Sequence, residues 1–148
     1  MTTANLIKTA RAMKAATADA AAAYLVARAR AEVLREEFDG LTRRLLAEGD
    51  YRDEMTGERV TDPRYDWTIE DGEWQKIHAV RLAYVVENHG PEWGDRCPAL
   101  CAEQDQRNAE DALLAAAATV TPGIDRVDLD NRQSAIDSIM GLACARAL

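Results

Sequence analysis

The chain has 148 residues, of which 47% are hydrophobic, enough for one domain with a core. Much of that fraction is alanine and there is one Phe, so the core is expected to be thin and made of closely approaching helices. A net charge of −8 disfavours direct nucleic-acid binding, and no apolar run reaches the ~18 residues of a membrane span, so neither is an expected partner.

Residues 6–45 carry a 4-3-4-3 apolar seam: Leu6, Ala10, Met13, Thr17, Ala20, Tyr24, Ala27, Ala31, Leu34, Phe38, Leu41 and Leu45. Only Thr17 departs from it. No proline interrupts the stretch, and alanine, the best helix former, fills many of the other positions. The spacing predicts one long helix over 1–48, capped by Thr2 or Thr3, continuous through Asp39-Gly40 and ending near Gly49. A helix of roughly 40 residues would run about 60 Å, so part of its stripe is expected to meet a partner. The half containing Leu34, Phe38, Leu41 and Leu45 is bulky and suits the chain's own core. The half containing Ala10, Met13, Ala20 and Tyr24 is smaller and carries Lys8, Arg11 and Lys14. It is the expected partner surface, with homo-oligomerisation as one outcome. Residues 1–48 hold 8 Lys/Arg against 6 Asp/Glu, whereas 49–148 hold 10 against 20, so a second copy could supply the opposite charge.

Residues 49–72 read as a small β-hairpin or irregular insert around Thr56-Gly57, closed by Asp62-Pro63. Thr68, with Asp71 three residues on, is then expected to cap a second helix that stops at Asn88-His89-Gly90-Pro91. Pro98 suits the first position of a third helix, which ends before Thr121-Pro122-Gly123. A fourth helix is expected from Asp128 or Asp130 onward. The whole, with 73–148 as a helical remainder, reads as a single all-α domain: a long N-terminal helix packed with three shorter ones.

Two groups of residues invite a chemical reading. Cys97 at a helix cap, where the dipole favours a thiolate, has Cys101 one turn on, with His89 and His78 upstream. A thiol pair or a zinc site would need these atoms. However, the spacing matches neither Cys-x-x-Cys nor a usual zinc pattern, and small buried hydrophobes explain the cysteines better. Trp67, Trp74 and Trp93 lie among Asp66, Glu70, Asp71, Glu73, Glu92 and Asp95. Trp is enriched at interface hot spots, so Trp67, Trp93, Asp66, Glu70 and Asp71 are candidate protein-binding residues, with Trp93 expected to be the most exposed. The alternative is that the indoles fill the ends of a core short of volume. Acids at the helix starts are explained by the helix dipole. There is no phosphate loop, no nucleophile elbow and no pair of metal-binding histidines on one helix, so no catalytic residue, metal or cofactor is expected.

Thr56-Gly57-Glu58-Arg59-Val60-Thr61-Asp62-Pro63, then Asp66-Trp67, then Cys97-Pro98-Ala99-Leu100 with Ala102-Glu103, is similar to uncharacterised small accessory proteins of tailed bacteriophages and prophages. The similarity covers mainly residues 51–113. It implies a phage-derived accessory role in a bacterial cytoplasm, a location that three cysteines and no secretory signal also suit. It brings no catalytic residue with it. The expected function is therefore non-enzymatic binding of a host or phage protein, including inhibition of a host defence or nucleic-acid-handling protein, with self-association through the N-terminal helix. The alternatives are a virion or assembly component, and a metal- or thiol-dependent enzyme using Cys97 and Cys101.

Overall fold

A computed structural model describes residues 2–94 and 96–145. Its α-helices are α1 (Thr3–Glu48), α2 (Asp71–His89), α3 (Pro98–Ala118) and α4 (Leu129–Ala143). Short 3-10 turns lie between them at Pro63–Thr68, Pro91–Trp93 and Ile124–Arg126.

Local chemistry sets the helix ends. Thr2 Oγ1 accepts the Asn5 N–H at 3.3 Å, relieving one unpaired donor at the start of α1. At the other end, Arg59 donates to the carbonyls of Ala47 (2.9 Å) and Gly49 (2.8 Å), which have no partner within the helix. Gly40 is accommodated without a break. Glu70, not Thr68, caps α2, accepting from the Gly72 N–H at 3.2 Å. Thr68 is instead used one turn earlier, donating to the Tyr65 carbonyl at 2.8 Å and closing the 3-10 turn. Pro98 opens α3 and Asp128 caps α4, accepting from the Asn131 N–H at 3.1 Å.

The β-hairpin form of the insert does not occur. Pairing among the described residues is reduced to two isolated bridges, Arg52 with Arg59 and Asp53 with Ile69. Two features stop a ladder from growing. The Asp53 carboxylate turns back to accept from the Met55 (2.7 Å) and Thr56 (3.0 Å) N–H groups, and Gly57 takes a left-handed φ of 71°. Beyond Thr61 the chain coils into the 3-10 turn, where Asp62 accepts from the Arg64 N–H at 3.0 Å. The insert is irregular but anchored: Val60 and Ile69 are buried with Leu46 and Ile77, and Tyr51 and Trp74 pack against them.

The helices serve two compact units. One joins α1 through Ala29 to the chain from Glu103 onward, and the other spans Arg30–Ala102. In the first, Met13, Ala21 and Tyr24 pack with Leu113, Leu114 and Ala117 of α3 and with Ile136 and Ile139 of α4. Thr17 is fully buried there, and its hydroxyl donates to the Met13 carbonyl at 2.7 Å, so a polar residue in the seam costs little. Lys14 donates to the Ala145 carbonyl. In the second unit, Ala31, Leu34 and Phe38 pack with Val85, Ala99 and Ala102, beside the cluster around Leu46.

The small-residue half of the seam is thus covered by the chain's own α3 and α4. Met13 and Tyr24 are core residues, 3% and 1% exposed, Ala20 is half-buried against them, and Ala10 is half-buried. Small side chains there let the helices approach closely rather than leaving a space for a partner.

Candidate functional site

With the seam turned inward, α1 presents a second apolar stripe to solvent. In the first unit it consists of Ala15, Ala18, Ala22, Leu25, Val26 and Ala29, all exposed, again at three- and four-residue spacing. Val26 is 71% exposed. This stripe lies roughly opposite Met13, Thr17 and Tyr24 on the helix.

The insert also carries exposed apolar groups. Trp67 is 75% exposed, Tyr65 53% and Met55 91%. The two turns that display them are well fixed. Arg64 forms an ion pair with Asp62 at 2.7 Å, and hydrogen bonds from its side chain, more than its charge, hold the Asp62 carboxyl down at about 2. Glu54 donates its N–H to the Thr68 carbonyl at 2.8 Å, tying the 53–58 turn to the 3-10 turn. Asp66 faces Arg81 of α2 at 3.8 Å, while Glu70 and Asp71 are exposed at the start of that helix. Trp67, Asp66, Glu70 and Asp71 therefore fall together by chain proximity.

Trp93 lies elsewhere and is half-buried, not the most exposed indole. Gly90, at φ 111°, folds the Pro91–Trp93 turn back so that Trp93 packs on the cluster around Phe38. The Arg96 guanidinium lies 4.6 Å from its ring centre. Trp74 is also half-buried and stacks on His78 at 4.9 Å.

Three of the four side chains considered for zinc have other neighbours. His89 Nε2 is 2.9 Å from Glu37 Oε1, while His78 stacks on Trp74. Cys97 is half-buried against the Ala99–Ala102 cluster. Among the described residues, no three His, Cys, Asp or Glu side chains gather as a metal ion requires.

Sequence reasoning missed one polar constellation. Glu37 on α1 accepts from the Tyr84 hydroxyl at 2.6 Å and meets His89 through the same oxygen. Phe38 stacks on His89 at 5.8 Å and meets Tyr84 edge-on at 5.9 Å. Burial by itself raises the Glu37 carboxyl, but hydrogen bonds from Tyr84 and His89, with the charge of His89, outweigh it and hold the group below its ordinary value. The same bond raises the Tyr84 phenol, helped by burial. Each side chain is ordinary on its own, and the partners lie 47 and 52 residues away in the chain. Comparison with known proteins finds no family model, no curated protein and no solved structure that matches this chain.

Proposed function

We propose that this protein is a non-enzymatic protein-binding module of phage or prophage origin. It acts in the bacterial cytoplasm by binding a host or phage protein, and it associates with a second copy through α1. The observation that carries this reading is the exposure of Trp67 and Tyr65 on a 3-10 turn held by its own hydrogen bonds, with Met55 exposed on the 53–58 turn tied to it. Tryptophan and tyrosine supply large contact area at low cost in side-chain entropy, and both suit interface anchors. Asp66, Glu70 and Asp71 beside them favour a basic partner surface. In its sharper form the module inhibits a host defence or nucleic-acid-handling protein by occupying a basic groove.

Self-association rests on the outward stripe of α1, whose small residues allow close helix approach and whose spacing suits a helix-to-helix seam. A second copy also brings the basic start of α1 near an acidic 49–148 segment. Two measurements test the reading. Immobilised protein should retain a bacterial protein at low salt and lose it at high salt, and Trp67→Ala should abolish retention while leaving the circular dichroism spectrum unchanged. Retention indifferent to Trp67→Ala would overturn the assignment of the insert. Sedimentation should give an oligomer that Val26→Asp converts to a monomer; a strict wild-type monomer would remove α1 as a self-association surface.

A further inference from the structure

The Arg30–Ala102 unit contains a cavity of about 400 Å³, within the range of small-molecule sites. Its apolar wall combines the buried Phe38 and Val85 with Leu82 and with Leu100, which remains 63% exposed. Its charged and titratable nitrogen groups are Arg81, Arg96 and His78, and among the described residues none that lines it is acidic. In a chain with 26 Asp and Glu, a lining of this kind is a local reversal of charge.

The cations are also held in ways that leave them able to take an anion. Arg96 is positioned by the Trp93 face at 4.6 Å, an attraction that consumes no N–H donor. Arg81 meets Asp66 at 3.8 Å, well beyond the ~2.7–2.9 Å of a tight charged hydrogen bond. His78 is oriented by its stack on Trp74. We infer that this cavity is a binding site for a small amphipathic carboxylate, an alkyl or aryl acid whose apolar body lies against Phe38, Val85 and Leu100. Its carboxylate is received by Arg81 and Arg96. Arginine suits this role because its planar fork matches a carboxylate with two hydrogen bonds.

Cys97 supplies a reporter, because its thiol also lines the cavity and is half-buried. Cys144 is exposed and lies outside the cavity, so it serves as an internal control. The experiment titrates the full chain with decanoate and with decanamide, the uncharged match, by calorimetry. Alkylation of each cysteine is followed by mass spectrometry in parallel. Decanoate should bind roughly ten-fold more tightly than decanamide at low salt and slow alkylation of Cys97 but not of Cys144. Arg96→Gln, at an exposed position, should remove most of the preference, and Arg81→Gln should do the same. Equal affinity for acid and amide would overturn the proposal. So would absence of binding, equal protection of Cys97 and Cys144, or an unchanged preference in both arginine variants.

Discussion

Replacing Tyr84 with Phe removes a single oxygen and leaves the edge-on packing against Phe38 in place. What is lost is the 2.6 Å hydrogen bond to Glu37. A bond to a charged acceptor contributes about 1.5–3 kcal/mol. The Glu37 side chain keeps 28% of its surface exposed, so solvent screening lowers the expected loss to about 1 kcal/mol. In a chain of this size that is a fall in Tm of roughly 2–4 °C. Urea denaturation followed by circular dichroism, on wild type, Tyr84→Phe, Glu37→Ala and the double variant, isolates the pair. The double variant should be no less stable than Glu37→Ala alone, giving a coupling of about 1 kcal/mol.

Acidity provides a second reading of the same bond. The folded Glu37 carboxyl lies below its ordinary value of 4.5, so folding favours the ionised form. The resulting stabilisation is fully present above the ordinary value and is lost as pH falls through the lower, folded one. The cost of Tyr84→Phe should therefore shrink on acidification. A coupling near zero at neutral pH, or a Tyr84→Phe cost that is the same in acid, would refute this account of the Glu37–Tyr84–His89 cluster.

Two further outcomes follow from α1. Gly40 lies inside the helix, and a methyl group added to its Cα would meet nothing within 4 Å. Gly40→Ala should therefore stabilise the protein by about 1 kcal/mol, read as a rise in Tm. A loss of stability would mean that α1 needs the flexibility of glycine there. Tyr24→Ala should cost about 3–5 kcal/mol because the ring is buried among Leu113, Leu114 and Ile139. Val26→Ala, two residues on, should stay within ~0.5 kcal/mol in dilute protein; comparable losses from the two would contradict the inward orientation of the seam.

The helical skeleton was legible because its signals are local. A proline-free alanine-rich stretch, Pro98 at a helix start, Gly90 and Asp128 act within a turn of themselves, and α1 to α4 begin and end close to where those residues place them. The hairpin expectation failed for a related reason. Residues 50–62 alternate too little in polarity to prefer a strand, and the side chain of Asp53 competed successfully for the backbone donors that a ladder would have used. Thr68 suited a cap by composition, but Glu70 captured the Gly72 N–H instead.

The two faces of α1 mark the boundary between sequence and tertiary structure. The sequence alone determined that α1 is a helix and that Met13, Thr17, Tyr24, Leu34 and Phe38 share an apolar stripe, because periodicity and propensity are properties of the chain itself. It equally contained a second stripe, Ala15, Ala18, Ala22, Leu25 and Val26, and periodicity cannot rank one against the other. Only packing decided that the first is core, since α3 and α4 bring Leu113, Leu114, Ile136 and Ile139 against it. Only packing, too, brought Glu37 to Tyr84 and His89, which lie 47 and 52 residues away, and directed Arg81 and Arg96 into one cavity.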